Sequence, residues 1–390
     1  MNGIDTKNQP KLRIERIETD IVRVPLETDY KGSHYHMTHR STILTRIFTD
    51  QGIVGEIYTG DEDDGNGQIQ RIIHEEIAPR MIGQDALAIE RIWELARPAT
   101  FNILRDRRLG LVAMACIDEA LWDIFGKATE QPLWRVWGGY KDTLPIICTG
   151  GYYGTGVSIE EELTRVHDMG YRGMKFKVGG LSPEEDAKRF IRARKVVGDD
   201  FVLIADANQG WTVDEAVKFA NLVRDYNLFY FEEPCRWDND RKFMKDVRYK
   251  SGARVCAGQS EMSASGCREL MQEGSIDFCN FDASWSGGPT EWRRVAAIAS
   301  SYGVRMAHHE EAQISIHLLA SIPHGSFVDT FVPERDPIWW NILENRPEIK
   351  DGMVKVGEEP GYGWVYDEKF IKKYSVSQMV TNNQNSLLQK

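Results

Sequence analysis

The stretch Met174-Lys175-Phe176-Lys177 alternates apolar and basic residues and predicts a short β-strand that ends in a lysine. Five later strand-like stretches also end in a residue that can bind a metal ion or move a proton; these residues are Asp206, Glu232, Glu261, Asp282 and His309. Successive members of this series lie 21 to 29 residues apart, about the length of one strand, one helix and two loops. Polar groups that recur at strand C-termini with this period predict the active-site face of a (β/α) barrel.

The chain of 390 residues is long enough for a barrel of roughly 250 residues and a second domain. Its net charge of −11 and its pI near 5.4 argue against nucleic acid and against an anionic membrane as partners. They do not exclude an anionic small molecule, because a bound cation and nearby lysines can reverse the local field.

Neither a membrane span nor a secretion signal is visible in the sequence. No apolar run approaches the roughly 18 residues of a membrane-spanning helix, and residues 1–7 lack the apolar core of a signal peptide. The six cysteines show no Cys-x-x-Cys spacing, and several lie in apolar strand-like stretches. These features predict buried, reduced thiols and a cytoplasmic location.

Two parts of the chain have different patterns. Residues 1–140 begin with stretches rich in Ile, Val and Thr, joined by a turn at Thr49-Asp50-Gln51-Gly52, and continue with helical periodicity from Leu109 to Phe125. Residues 141–355 alternate strand-like and helical stretches. Three S/T-x-x-E capping signatures in that part begin at Ser158, Ser182 and Thr212. We therefore expect an α+β domain followed by a parallel barrel.

Alternation along the predicted strand places Lys175 and Lys177 on one face and Met174, Phe176 and Val178 on the other. The apolar face can pack against helices, so both ammonium groups should point into the barrel mouth. Two lysines held close together near a metal ion repel one another, and we expect this to lower at least one pKa and leave a neutral amine able to act as a base. The alternative is a pair of solvated surface lysines.

Asp206, Glu232 and a third acid supply oxygen ligands without thiolate or imidazole. This donor set suits Mg²⁺ or Mn²⁺ better than Zn²⁺. For any one of these acids, the alternative is a helix N-cap or a salt bridge within the barrel. Their occurrence at successive strand ends favours a metal site.

Together these motifs resemble the enolase superfamily and, within its mandelate racemase/muconate lactonizing enzyme family, the mandelate racemase subgroup. The residues that carry the resemblance are Lys175-Phe176-Lys177, Asp206-Ala207-Asn208, Glu232-Glu233-Pro234, Asp282 with His309, Asp329, and the helix from Ala115 to Asp123. The resemblance covers nearly the whole chain. It implies a (β/α)7β barrel, residues 141–355, with an α+β capping domain completed by a C-terminal segment, 356–390, that packs back on it.

The resemblance also implies removal of the proton α to a carboxylate, with one Mg²⁺ per subunit, replaceable by Mn²⁺, to stabilise the developing charge. Lys177 and His309 would flank the α-carbon, and Asp282 would hold the other imidazole nitrogen and raise its basicity. The residues expected to bind the substrate near its carboxylate are Lys175, Asn208 and Asp329.

The third metal ligand departs from the family pattern, which has an acid where this chain reads Gly258-Gln259-Ser260-Glu261. Counting back from Asp282 without a gap places Gln259 at the ligand position. Glu261 lies two residues further on, and therefore on the same face if the strand continues. Because a carboxylate is the better ligand for Mg²⁺, we expect Glu261 to bind the metal.

Three further residues are weaker candidates. His34, in the cluster His34-Tyr35-His36 with His39, is interpreted as part of an active-site loop from the capping domain, with a metal site or a plain surface loop as alternatives. Tyr152 follows the first barrel strand and Trp285 follows Asp282, so both are expected to contact substrate, and Trp285 to narrow the pocket. His308 should point away from the mouth by alternation.

The preferred function is dehydration of a sugar acid, in which loss of the α-proton and the β-hydroxyl gives a 2-keto-3-deoxy acid. It is preferred because dehydrations predominate among the known activities of the subgroup. Racemisation or epimerisation of a 2-hydroxy or amino acid is the alternative, since two opposed bases also suit it. A catalytically inactive binding protein is a third hypothesis, which the intact set of Lys177, His309 and acids disfavours. We expect a small carboxylate as partner and a homo-oligomer.

Overall fold

The computed structural model describes residues 11–60 and 65–382, so the outermost parts of the predicted first and last segments, 1–10 and 383–390, lie outside the described residues. Three strands near the N-terminus and one near the C-terminus form a four-stranded sheet. The strands are β1 (Ile14–Lys31), β2 (His36–Thr49), β3 (Val54–Thr59) and β14 (Ser375–Asn382). The order is β14-β1-β2-β3, and all neighbours are antiparallel. Residues 375–382 therefore complete a sheet that starts near the N-terminus.

The predicted turn between β2 and β3 is present. The amide of Thr49 donates to the carbonyl of Ile53, and the amide of Gly52 donates to the carbonyl of Thr49, both at 3.1 Å. Gly52 has a φ of +80°, a conformation in which an L-residue with a side chain is strained. The glycine therefore explains why the chain reverses at this point.

Helices follow β3 in the described chain. They are α1 (Asn66–Arg71), a π-helical turn (Ile72–Ile77), α2 (Ala78–Met81), α3 (Ile89–Ala96), a 3-10 turn (Arg97–Thr100), α4 (Arg107–Ala128) and α5 (Leu133–Val136). Helix α4 contains the helix expected from Leu109 to Phe125, and Asp106 caps it by accepting from the amide of Arg108 at 2.9 Å. It packs against β2 and β3.

Eight parallel strands in the described chain form the barrel. They are β4 (Thr143–Gly150), β5 (Gly173–Lys177), β6 (Val202–Asp206), β7 (Leu228–Glu232), β8 (Val255–Ala257), β9 (Phe278–Cys279), β10 (Arg305–Met306) and β11 (Val328–Phe331). Consecutive strands from β4 to β10 are paired, and β11 pairs with β4. A bridge between Met306 and Gly325 closes the ring.

Seven helices alternate with these strands: α6 (Ile159–Asp168), α7 (Pro183–Val197), α8 (Val213–Leu222), α9 (Asp240–Ser251), α10 (Ala264–Gln272), α11 (Pro289–Tyr302) and α12 (Ala312–Ala320). The (β/α)7β barrel is thus confirmed. The remaining elements are a 3-10 turn (Trp237–Asn239), α13 (Pro337–Asn341), β12 (Ile349–Lys350), β13 (Met353–Lys355) and α14 (Glu368–Tyr374). Strand β13 pairs antiparallel with the start of β4.

The three predicted capping boxes start α6, α7 and α8. At each, the hydroxyl of Ser158, Ser182 or Thr212 accepts from the backbone amide three residues later, and the glutamate there accepts from the backbone amide of the capping residue. Two of the four amides left unpaired at a helix start are thereby satisfied. These short polar motifs therefore determine the residue at which each helix begins after the loop that follows a barrel strand.

Strands β8, β9 and β10 are shorter than the sequence predicted, so their candidate site residues lie on the loops that follow them. In the ranges 11–60 and 65–382, no helix combines the length and the apolar character needed to cross a membrane. All six cysteines are buried and unpaired, as expected.

Candidate active site

The carboxyl ends of β5, β6 and β7 bring three predicted site residues side by side. Lys177 is in register with Asp206, and Asp206 is in register with Glu232. Because alternate residues of a strand share a face, Lys175 points the same way as Lys177. All four side chains are at most 2 % exposed. The apolar residues that alternate with the lysines pack in the core, as predicted.

Carboxylates hold both lysines. Lys177 Nζ lies 2.6 Å from Asp206 Oδ2, and Lys175 Nζ lies 3.0 Å from Glu232 Oε1 and 2.7 Å from Asp329 Oδ2. Burial opposes the charged form, but Asp206 raises the pKa of Lys177 well above its usual value, and Asp329 with Glu232 does the same for Lys175. Without a metal ion, the lysine pKa values are therefore raised and not lowered, because each ammonium group has its own anionic partner.

Carboxylates outnumber ammonium groups in this part of the barrel mouth. The buried carboxylates are Asp206, Glu232 and Asp329, and the ammonium groups are those of Lys175 and Lys177. Burial, followed by the charges of Asp206 and Asp329, raises the pKa of Glu232 to about 7 in spite of Lys175. Burial also opposes ionisation of Asp206, but the two lysines outweigh it and lower that pKa. A divalent cation at these carboxylates would relieve the excess charge.

Glu261 lies apart from the other two expected ligands. Strand β8 ends at Ala257, and Gly258 turns the chain with a φ of +143°, so strand alternation does not continue to Glu261. The Glu261 carboxylate lies 2.9 Å from Arg241 Nη2. The reasoning that placed Glu261 on the metal-binding face is therefore wrong. Within the described residues, no three His, Cys, Asp or Glu side chains are arranged to hold a metal ion.

Gln259 offers a neutral oxygen in place of the third acid. Its backbone amide donates to Asn280 Oδ1 at 3.1 Å, and Asn280 Nδ2 donates to Gln259 Oε1 at 2.7 Å. Both side chains are buried at the carboxyl ends of β8 and β9. The carboxylates of Asp206 and Glu232 and the amide oxygen of Gln259 are hard oxygen donors of the kind that Mg²⁺ accepts. In donor chemistry, these residues therefore suit that ion without Glu261.

The expected Asp–His pair is formed across the loops after β9 and β10. His309 Nδ1 lies 2.9 Å from Asp282 Oδ2, and Ser284 donates to the other Asp282 oxygen through its amide at 2.8 Å and its hydroxyl at 2.7 Å. Burial disfavours the imidazolium, but Glu310 and then Asp282 raise the pKa of His309 to about 9. Glu310 Oε1 is 3.5 Å from Nε2, the nitrogen that faces away from Asp282.

His308 contacts the backbone of these loops; because β10 ends at Met306, strand alternation does not extend to it. Its Nε2 accepts from the amide of Ala283 at 3.0 Å, and its Nδ1 lies 2.9 Å from the carbonyl of His309. Burial lowers the pKa of His308. The ring therefore serves the backbone of the loop that carries the Asp–His pair.

Left-handed backbone conformations are concentrated at the carboxyl ends of the barrel strands. The non-glycine residues with positive φ there are Asn208, Gln209, Glu233, Glu310 and Glu311. Such conformations are disfavoured for L-residues and persist where surrounding contacts hold them, often at functional sites. In this conformation, Asn208 Oδ1 accepts a hydrogen bond from Lys177 Nζ at 3.0 Å.

The tip of the β1–β2 hairpin, residues 32–35, reaches over the barrel mouth. Ser33 Oγ donates to the carbonyl of Asn208 at 3.3 Å, and His34 Nε2 lies 3.4 Å from the carbonyl of Gly210. His34 itself is exposed. The interpretation of this segment as a loop over the site agrees with these contacts, and substrate binding by His34 stays a prediction.

Aromatic rings surround the two candidate bases. Lys177 Nζ lies 5.7 Å from the ring centre of Tyr152 and 5.8 Å from that of Tyr35. The ring of Trp285 lies 4.7 Å from that of His309, centre to centre. Tyr152 and Trp285 thus lie beside the candidate bases, and their contact with substrate stays a prediction. Tyr35 belongs to the cluster interpreted above as an active-site loop.

The sequence also gave no signal for a buried charged network beside His309. Arg40, on β2, lies 3.3 Å from Glu310 Oε2, 3.1 Å from Glu311 Oε1 and 3.3 Å from Asp336 Oδ1. Arg335, in the turn after β11, is 1 % exposed. These residues belong to no motif. They lie far along the chain from most of the strand ends, so the sequence alone does not indicate that they are close to the site.

The comparisons with known proteins agree with this architecture. Residues 16–138 match the mandelate racemase / muconate lactonizing enzyme N-terminal domain, and residues 158–370 match the enolase C-terminal domain-like family. The chain therefore belongs to the mandelate racemase/muconate lactonizing enzyme family of the enolase superfamily.

Individual relatives span nearly the full chain. A crystal structure of a mandelate racemase/muconate lactonizing enzyme from a marine actinobacterium, in complex with magnesium, is 53% identical with a TM-score of 0.90, covering 94% of this chain and 100% of that chain. The 3,6-anhydro-α-L-galactonate cycloisomerase of Streptomyces coelicolor is 29% identical, covering 93% of this chain and 99% of its own length. The arabinonate dehydratase of Saccharolobus solfataricus is 27% identical, covering 85% and 90%.

Proposed function

We propose that this protein is a Mg²⁺-dependent dehydratase of a sugar acid, which removes the proton on C2 and the hydroxyl on C3 to give a 2-keto-3-deoxy acid. The observation that carries the proposal is the placement of Lys177 and the Asp282–His309 pair at one barrel mouth with the carboxylates Asp206 and Glu232. Two relatives with nearly full-length similarity are named for sugar acids, one as a dehydratase and one as a cycloisomerase.

Asp206, Glu232 and Gln259 would hold one Mg²⁺, replaceable by Mn²⁺, and the ion would supply Lewis-acid stabilisation of charge on the substrate carboxylate. Magnesium is bound in the relative that is 53% identical. Lys175, fixed by Asp329, would orient the same carboxylate through a charge-assisted hydrogen bond.

The two proton-transfer groups act from opposite sides of the barrel. Lys177 ends β5, and His309 follows β10, with β11 and β4 between them on the shorter way round the ring. With a pKa of about 9, His309 is protonated at neutral pH and is the acid that protonates the departing hydroxyl. Lys177 would be the base, and a cation held by Asp206 would weaken the ion pair that stabilises its ammonium group.

The test is a panel of sugar monoacids and diacids incubated with Mg²⁺, with semicarbazide detection of 2-keto-3-deoxy products and NMR detection of α-proton exchange in D₂O. Lys177→Met and His309→Asn should each lower turnover by about 10²- to 10⁴-fold. Lys177→Met should also abolish exchange, whereas His309→Asn should retain it without product. Lys188→Met, an exposed lysine on α7, is the matched control and should leave turnover unchanged.

Other outcomes would identify the alternatives. An acid that exchanges its α-proton and changes optical rotation without forming a keto acid would replace dehydration by racemisation or epimerisation. Normal turnover in both variants would show that neither residue moves the proton. The absence of exchange with every acid, in protein shown by calorimetry to bind Mg²⁺, would favour an inactive binding protein.

A further inference from the structure

Arg335 is a fully buried cation without a carboxylate partner in the part of the chain that the structure describes. It follows β11, at the same edge of the barrel as the proposed active site, and is 1 % exposed. Its Nε and Nη1 have no hydrogen-bond acceptor, and Nη2 contacts only the sulfur of Met37, at 2.8 Å. A buried ionised group without hydrogen bonds is strongly unfavourable, so its presence calls for a compensating anion.

Aromatic rings compensate Arg335 only in part. Its guanidinium carbon lies 4.3 Å from the ring centre of Phe331, 5.4 Å from that of Tyr152 and 5.8 Å from that of Tyr30. Such contacts favour a cation but leave its N–H groups without acceptors. Burial lowers the pKa of the Arg335 guanidinium, but Tyr152 and Glu310 outweigh burial and raise it. The guanidinium therefore stays charged.

A second donor without a partner belongs to Tyr152, whose ring lies near both Arg335 and Lys177. The hydroxyl of Tyr152 is buried and has no hydrogen-bond partner. Lys177 Nζ and the Arg335 guanidinium carbon both lie within 5.7 Å of the centre of the Tyr152 ring, so they are no further apart than twice that distance. This separation is within the reach of a six-carbon acid that has its reacting carbon at Lys177.

The neighbouring acids leave Arg335 available for an outside anion. Glu310 lies close to Arg335 but is already engaged by Arg40 at 3.3 Å and His309 at 3.5 Å. Asp336, the next residue along the chain, lies 3.3 Å from Arg40 and accepts from the amide of Trp339. Within residues 11–60 and 65–382, these two acids are therefore engaged elsewhere, and the Arg335 guanidinium is left to bind the anion of a ligand.

We propose that Arg335, with the hydroxyl of Tyr152, binds a second carboxylate at the far end of the substrate, so that the preferred substrates are sugar diacids. This inference rests on the proposed function, because it assumes that the other carboxylate lies between Lys175 and the metal ligands. Met37, on β2 just after the hairpin tip, contacts Arg335 through its sulfur. The planar guanidinium of Arg335 then donates hydrogen bonds to both oxygens of the distal carboxylate.

The test compares hexaric acids with the hexonic acids of matching configuration, which differ only by a carboxylate or a hydroxymethyl group at C6. The wild-type enzyme should have a kcat/KM about 10²-fold higher for the diacid, the scale of a buried charge-assisted pair. Arg335→Met should remove this preference by lowering diacid turnover to the level of the monoacid. Arg335→Lys should give an intermediate ratio, since it keeps the charge without the fork.

Arg194→Met is the matched control, because Arg194 is also a buried arginine but donates to the backbone carbonyls of Gly198, Phe201, Tyr226 and Asn227. It should lower Tm and leave the diacid-to-monoacid ratio unchanged. Arg335→Met should leave Tm unchanged or raise it, because an unpaired buried charge is removed.

Equal loss of activity on both acids in Arg335→Met, or a wild-type preference for monoacids, would overturn the proposal. Calorimetric binding of the same acids separates this failure from failure of the proposed function. If no acid is turned over, tighter diacid binding that Arg335→Met abolishes would uphold the subsite while refuting the dehydratase. Binding that is equal for both proteins would refute the subsite.

Discussion

Replacing His309 with asparagine should change how the stability of the metal-free protein depends on pH. Burial disfavours the imidazolium, but Glu310 and Asp282 raise the pKa of His309 from 6.5 to about 9. A raised pKa stabilises the folded protein fully below pH 6.5, and this contribution disappears as the pH rises through 9. The shift corresponds to about 3 kcal/mol of unfolding free energy in wild-type protein, which the asparagine variant lacks.

Urea unfolding in EDTA, at half-unit steps from pH 6 to pH 10, measures the difference in unfolding free energy between the wild-type protein and His309→Asn. That difference should shrink by about 3 kcal/mol across the window from pH 6.5 to pH 9. His308→Asn is the matched control, because burial lowers the pKa of His308 and keeps its ring neutral throughout this window. A His309→Asn difference as independent of pH as that of the control would refute the assignment of a charged imidazole.

Three further outcomes are expected. Gln259→Glu should tighten Mg²⁺ binding about 10-fold or more by calorimetry, because it adds a carboxylate to the proposed site. Glu261→Gln should leave Mg²⁺ binding unchanged. The reverse result would restore Glu261 as the ligand. Arg40→Met should lower the unfolding free energy by about 3–5 kcal/mol in urea, because it leaves buried acids without their partner, while the exposed Arg192→Met should cost less than about 1 kcal/mol. Ser182→Ala should cost about 1 kcal/mol in the same assay through loss of a helix cap, and an unchanged midpoint would contradict that role.

Much of the barrel could be predicted from the sequence because its signals are local. Alternation at Lys175 and Lys177, the capping box at Ser182 and the turn before Ile53 each depend on a few neighbouring residues. The recurrence of polar residues at strand ends adds a long-range constraint, because parallel strands of a barrel bring their carboxyl ends to one edge. Register then places Asp206 beside Glu232 without further information.

The errors occurred where local pattern does not determine the outcome. Alternation predicts the direction of Glu261 only while the strand lasts, and Gly258 ends it early. The lysine pKa values depend on how many carboxylates face each ammonium group, which spacing along one strand cannot reveal. Arg335 was missed because a contact with a tyrosine nearly two hundred residues away leaves no mark on neighbouring residues.

The pairing of β1 with β14 has a consequence for protein synthesis. A ribosome releases the N-terminal strands first, so β1, β2 and β3 emerge long before residues 375–382. Until then, the outer edge of β1 presents unpaired backbone groups that can associate with another nascent chain. The hairpin over the barrel mouth is built on the same strand. Translation must therefore pass residue 382 before that hairpin rests on a finished sheet.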